Sequence, residues 1–349
     1  MSTAAFPDVQ IPPPRRRAVS AKPRLLVAEL RGMGDLAILM PFLQSAVTQC
    51  DVTLLAVPNA AGLLKRFAPE VELIPCVAPW ALFSGGWDLP RWPWSRLAGV
   101  LRALRAREFK AAASVWPLVS DQIFLKLARP EKLIGFGQPG MRWLLSRDLR
   151  REQHTHRPEA WRRIATELGL PAVPTSRPRL RPARKRHLVL HSGASQRLRV
   201  WPLDRYATLL AKLRATGWTA EVLCDAWQLP RWQGLGESSA RVAANMDELV
   251  ETIAHGAAFL GNDSGPGHVA ALCGVPTFTI FGPQVPALFK PGHPQAGWIE
   301  GLPCPHKPCF DRCKFAEPFC LTGIDRDDAW RQLSQWLAEL EPGRPRPGA

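Results

Sequence analysis

The sequence predicts two doubly wound α/β domains in tandem, and three observations carry that expectation. Short continuous apolar runs alternate with helical patterns along most of the chain, which is how parallel strands covered on both faces read. That alternation dissolves into proline and arginine in "LGLPAVPTSRPRLRPARKR" (168–186) and then restarts, the signature of a linker between two like halves. The chain of 349 residues is long for one domain and comfortable for two, each able to bury its own core.

The elements follow in order. Residues 1–22 form a Pro/Arg-rich tail with basic residues but no apolar core behind them, so it reads as a disordered segment and not as an export signal. A first domain over 23–170 opens with strand "RLLVAEL" (24–30), a helix from near Leu36, strand "DVTLLAV" (51–57) and, later, strand "AAASVW" (111–116). After the basic linker (171–186), a second domain over 187–324 reads as strand "HLVLHSG", helix "LDRYATLLAKLRATG", strand "AEVLCD", helix "MDELVETIAHG" and strands "AAFLGND" and "PTFTIFG". A helix over 325–340, expected to cross back and brace the first domain, precedes a tail at 341–349.

Composition narrows the function classes. Hydrophobic residues make up 46% of the chain, and no apolar run approaches the roughly 18 residues needed to span a bilayer. With no export signal, the eight cysteines are expected in a reducing cytoplasm. The formal charge is +15, and residues 140–186 hold thirteen Lys/Arg against four Asp/Glu. Such a belt favours anionic partners or is simply a solvated linker. Without a zinc-finger pairing, an RNP-like segment or a heptad-linked basic region, nucleic acid is not expected as the partner.

The most informative stretch is "GNDSGPGHVAALCGVPTFTIFGP" (261–283). It places a turn at a strand's carboxyl end and a helix with Pro266 in its first turn, where a missing N–H costs nothing. Ser264, Gly265 and Gly267 let backbone N–H groups approach a bound group, and a helix N-terminus is a ready anion site. Asp263, Ser264, Gly265 and His268 together therefore suggest phosphate binding, against the plainer reading of a capped helix.

This stretch resembles the signature of glycosyltransferase family 9, the lipopolysaccharide heptosyltransferases: Asp-(Ser/Thr)-Gly, two residues, His, a small-residue helix, Gly-x-Pro, an apolar strand, then Phe/Tyr-Gly-Pro. "RGMGDLAILMP" (31–41) is similar to the family's N-terminal segment, and "HSGASQRLRVWPLDRY" (191–206) to its His-x-Gly-Ala…Lys-x-Trp-Pro segment, with Arg199 where lysine is usual. The similarity runs from about Arg24 to about Gln335. It implies a GT-B fold, two Rossmann-like domains facing a cleft. It also implies an inverting transfer without metal, a nucleotide-sugar donor in the second domain and an acceptor bound mainly by the first.

"GMGDLA" (32–37) also matches a dinucleotide fingerprint, but "DVTLLAVPN" ends without the acid that would hold a ribose, and Asp35 would repel a pyrophosphate. Asp35 is either the cap of the following helix or a general base taking a hydroxyl proton. The resemblance implies the base. Charge developing on the leaving diphosphate would be met by the helix from Gly265 and by Arg199, with His191, Ser192 and His268 lining the same site. "DRDD" (325–328) looks like a metal-holding Asp-x-Asp, yet it opens a helical pattern where acids serve as caps. "CDAWQLPRWQ" (224–233) lacks the Glu that the heptosyltransferases tend to carry there, which leaves Asp225 as a substitute and the donor's identity open.

Cys304, Cys309, Cys313 and Cys320 cluster without the C-x2-C pairs of zinc ribbons. They could bind iron or zinc, pack as reduced thiols or pair as a disulfide. The resulting expectation is a cytoplasmic enzyme, peripheral at the anionic inner membrane and needing no cofactor for catalysis. It would move heptose from ADP-heptose to a lipid-anchored, phosphorylated saccharide, the lipopolysaccharide inner core. Another nucleotide sugar or a protein acceptor is the alternative within the family. A non-enzymatic metal-knuckle protein binding an acidic partner is the alternative outside it.

Overall fold

The computed structural model describes residues 22–81, 89–150 and 155–340, which divide into two compact units with the boundary between Val173 and Pro174. The tails at 1–21 and 341–349 lie outside the described residues.

The first unit runs β1 (Arg24–Glu29), α1 (Met33–Ala46), β2 (Asp51–Ala56), α2 (Ala60–Phe67), β3 (Glu72–Pro75), α3 (Trp94–Arg105), β4 (Ala111–Ser114), α4 (Val119–Leu127), β5 (Lys132–Gly135), β6 (Arg147–Asp148) and α5 (Arg157–Glu167). Its six parallel strands take the order β3-β2-β1-β4-β5-β6. The chain moves one way from β1 to β3 and the other way from β4 to β6. Right-handed crossovers therefore put α1 and α2 on one face and α3 and α4 on the other. Leu26, Leu55, Ile74, Leu104 and Phe124 fill the core under α3 and α4. On the opposite face α5 packs along α1, with the rings of Phe42 and Trp161 4.9 Å apart. Alanine is a poor strand former, yet Ala111–Ala113 form the central β4, because β1 and β5 pair with them from both sides.

The second unit runs β7 (His187–His191), α6 (Leu203–Ala215), β8 (Thr219–Leu223), α7 (Leu229–Gly234), α8 (Met246–His255), β9 (Ala258–Asn262), α9 (Gly265–Leu272), β10 (Thr277–Phe281), α10 (Pro286–Phe289), β11 (Gly297–Glu300), α11 (Phe319–Thr322) and α12 (Arg326–Leu340). Five parallel strands take the order β11-β10-β9-β7-β8, so direction reverses between β7 and β9. In the first unit the reversal lies between β1 and β4. Ligands of such sheets bind outside the carboxyl ends of the strands at these reversals.

Two expectations change. The basic segment after Pro174 is strapped to the second unit, with Leu180 N–H donating to Cys273 O and Arg184 N–H to His255 O, both at 2.9 Å. The last helix belongs to the same unit: α12 packs on α6 and β11, its Trp336 ring against Phe278 and its indole N–H 3.1 Å from Gln295 O. The apolar stripe of Ala329, Leu333, Trp336 and Leu337 is spent on that core. Asp325 caps α12, its Oδ1 accepting from the N–H groups of Asp327 and Asp328 at 2.7 and 3.2 Å. Asp327 pairs with Lys212 and Asp328 with Arg331.

Candidate active site

In the first unit the sheet reversal brings the end of β1, the start of α1 and the residues after β4 together. Gly32 is the N-cap of α1 and Asp35 lies inside its first turn, so Asp35 is not the cap. Its carboxylate, about a quarter exposed, sits 3.8 Å from Arg157 Nε at the start of α5. The Arg157 guanidinium lies 3.7 Å above the Trp116 ring, and Arg31 stacks on the same ring at 4.7 Å. Trp116 donates its indole N–H to Glu29, 2.9 and 3.1 Å from the two carboxylate oxygens. Glu29 is fully buried; burial first, and then the charge of Asp35, push its pKa up to about 8, against the pull of Arg31 and Arg157. It therefore holds a proton at neutral pH. Arg31 pairs with buried Asp121 at 2.5 Å, while its Nη2 is buried with no hydrogen-bond partner.

In the second unit the expected donor residues gather at the carboxyl ends of β7 and β9, where His191 and Gly261 are in register. Asn262 fixes the turn: its side chain donates to Ser192 O at 2.7 Å and accepts from Trp201 N–H and the Tyr206 hydroxyl. Ser264 occupies the N-cap position of α9, yet its side chain makes no capping bond, and Oγ is buried with no hydrogen-bond partner. A buried hydroxyl left so costs about 1–3 kcal/mol, so the geometry favours a ligand there over the plain capping reading. Gly265 begins α9, and His268 is buried one turn on. His191 accepts from Gly193 N–H through Nδ1 at 3.1 Å, and burial lowers its pKa, so its Nε2 carries the proton of a neutral ring.

Two residues depart from expectation. Ser192 is wholly buried, its hydroxyl donating to Gln228 Oε1 at 3.0 Å and accepting from Trp232 Nε1 at 2.9 Å. That hydroxyl braces the β7 end and has no reach left for a donor. Arg199 is not an open cation: Asp311 takes it in a bidentate pair, through Nε at 2.6 Å and through Nη2, while Asp263 lies 3.3 Å from Nη1. Arg197, two residues before it, is stacked over the Trp227 ring.

Sequence reading missed Gln284, while Asp225 was named only as a substitute for an absent Glu. Gln284, just past β10, is 1% exposed and both polar atoms of its side chain lack a hydrogen-bond partner. Two unmet atoms of one buried amide are a readable signal only once burial is known. Asp225, after β8, lies so close to Gly193 that a Cβ on that glycine would stand 2.4 Å from its carboxyl carbon. An acid at the end of a second strand is where a nucleoside's ribose is held in related sheets.

Cys304, Cys309, Cys313 and Cys320 do converge: with His306 and Lys307 they line a cavity of about 10 Å³, near the lower limit for one water. All four are free thiols, and burial raises the pKa of Cys320. Among the described residues no three His, Cys, Asp or Glu side chains are grouped so as to hold a metal ion. The metal expectation therefore lacks a fitting ligand set among the described residues.

The model of "Glycosyltransferase family 9 (heptosyltransferase)" matches residues 97–319. A family 9 glycosyl transferase from Veillonella parvula superposes with a TM-score of 0.71 at 16% identity, covering 93% of this chain and 100% of its own. ADP-heptose LPS heptosyltransferase II of E. coli superposes at 0.66 with 20% identity, covering 90% and 99%. The iron-containing dodecameric glycosyltransferase TibC from enterotoxigenic E. coli reaches 0.54 at 14% identity, covering 92% and 77%. No curated protein sequence matches the chain. At these identities the solved structures establish the fold, and it is the GT-B fold.

Proposed function

The chain belongs to glycosyltransferase family 9, the heptosyltransferases, and from that membership we propose that it moves a heptose from ADP-heptose to the phosphorylated inner core of lipopolysaccharide. The carrying observation is the β9–α9 turn, where buried Ser264 Oγ lacks a partner at a helix N-terminus. The backbone N–H of Gly265, the Ser264 hydroxyl and His268 would meet the diphosphate, and Gln284, just past β10, would add its unmet amide. Asp225 would hold the ribose. Preoriented dipoles can stabilise the charge of the leaving diphosphate without a metal.

Asp35 is the proposed base. It would take the acceptor hydroxyl's proton as that oxygen attacks the anomeric carbon and the C–O bond to the β-phosphate breaks, inverting the centre. Arg157 orients the carboxylate, and the unmet Nη2 of Arg31 suits an acceptor phosphate. The enzyme would work on the cytoplasmic side of the inner membrane. Among the described residues no helix is long and apolar enough to cross a membrane.

The test is Asp35→Asn. Turnover should fall by roughly 10²–10⁴-fold, the contribution of a positioned base. Stability should change by less than about 1 kcal/mol, since the Arg157 pair is partly exposed. Affinity for ADP should hold, and wild-type turnover should survive EDTA. A variant that keeps its turnover removes Asp35 from the chemistry. EDTA inhibition reversed by Mg²⁺ removes the metal-free mechanism. A screen of nucleotide sugars for thermal protection identifies the donor, and a different sugar would redirect the substrate assignment within the family.

A further inference from the structure

We propose that the α3/α4 face of the first unit is a docking surface for anionic lipid bilayers. Five large apolar side chains of that unit are exposed among the described residues: Leu89, Trp94, Ile123, Leu127 and Trp143. All five belong to the segments that cross on one side of the sheet. Leu89 and Trp94 flank the start of α3, joined by the Trp94 indole N–H donating to Leu89 O at 2.8 Å. Ile123 and Leu127 lie on α4, and Trp143 lies in the β5–β6 crossover, which Lys126 ties to α4 through Leu144 O at 3.1 Å. Arg105 on α3 reaches Leu127 O at 2.8 Å, closing the seam between the two helices. Trp94, Trp92, Trp80 and Phe124 form a continuous chain of ring contacts, each 5.3–5.4 Å between centroids, so the exposed edge is anchored in the core. The α1/α2/α5 face exposes no large apolar side chain among the described residues.

Charge on the same face selects the partner. Arg91, Arg96, Arg102, Arg105, Lys126 and Arg129 are exposed there, with Arg142 beside Trp143. Among the described residues the acids of these segments are Glu108, Glu131, Asp121 and Asp148; Glu131 pairs with Lys110, buried Asp121 with Arg31, and Asp148 with Arg142. Tryptophan settles at the headgroup level of a bilayer, aliphatic side chains enter the acyl boundary, and Lys/Arg stems lie along it with their charges outward. Trp94 and Trp143 offer rings for stacking, but three of the five exposed side chains, Leu89, Ile123 and Leu127, are aliphatic and suit an acyl boundary rather than bases, which favours a bilayer. A second copy of a chain carrying +15 would meet like charge. The lipid-anchored acceptor proposed above would be delivered by such a surface, yet vesicle binding is read without donor, acceptor or turnover.

The experiment is co-sedimentation of the full chain with vesicles of phosphatidylcholine, with and without phosphatidylglycerol, at low and high salt. Binding should need phosphatidylglycerol and weaken with salt. Arg96→Gln and Arg102→Gln should each lower partitioning about five-fold, the contribution of one basic side chain near an anionic surface. Arg96→Lys should restore it, and Trp94→Ala and Trp143→Ala should each lower it several-fold. Trp298→Ala, an exposed tryptophan of the second unit, should leave it unchanged, with unfolding midpoints kept throughout. Absence of vesicle binding, or equal loss in Trp298→Ala, overturns the proposal. So does preference for duplex DNA over vesicles, or a dimer that Trp94→Ala disperses.

Discussion

Around Asp35 and Arg199, side chains paired across long sequence separations set the local charge. Glu29 is the clearest case, because its proton is stabilised by the fold. A carboxyl whose folded pKa is raised stabilises the protein fully below its unfolded pKa, and that contribution is lost as pH rises through the folded value. For Glu29 the window runs from about 4.5 to about 8. Glu29→Gln keeps the Trp116 bond and removes the titration. Its stability should therefore fall less than wild type's between pH 5 and 8, read as unfolding midpoints across that range. Arg199 gives a second case. With Asp263 and Asp311 it forms a group of net charge −1, which repels a diphosphate as it stands. Asp311 and its neighbour Phe310 have φ of 66° and 48°, a left-handed backbone that non-glycine residues adopt at a cost, so the loop is not in its easiest conformation. Asp311→Asn should tighten ADP binding several-fold by calorimetry. Weaker binding would make Asp311 a prop that Arg199 needs.

At the scale of elements, the β9–α9 turn shows how a contiguous motif becomes a candidate site. Its strand is buried, its helix is made of small residues, and Asn262 locks the corner from the far side. Ser264→Ala removes a hydroxyl that bonds nothing in the protein, so stability should hold or rise slightly while ADP binds more weakly. A capping serine would behave oppositely, losing about 1 kcal/mol of stability with affinity unchanged. The paired readout of unfolding midpoint and ADP affinity separates the two.

For the molecule as a whole, the division at Val173 has a functional corollary. Asp225, Asp263, Ser264, His268 and Gln284 all lie in the second unit, which carries its own core of Trp201, Tyr206, Leu260, Leu333 and others. Residues 174–340 expressed alone should fold cooperatively and bind ADP with an affinity near that of the full chain, while supporting no transfer. Loss of ADP binding in a folded fragment would assign part of the donor site to the first unit.

The sequence by itself determined the architecture and singled out the β9–α9 turn. Buried strands announce themselves by continuous apolar runs, and Asp263 through His268 are neighbours along the chain as well as in space. It missed β3, β5, β6 and β11, of two to four residues each; only β4 among strands that short was read, from the longer apolar run it opens. Only the tertiary structure decided what each charge meets. Asp311 reaches Arg199 across 112 residues of sequence, and Trp116 reaches Glu29 across 87. Such pairs leave no local pattern, because burial and opposite charge join them only after the sheet has brought its strand ends together. The same holds for Ser192, whose hydroxyl looked available in a motif and is consumed by Gln228 and Trp232 once α7 packs over β7.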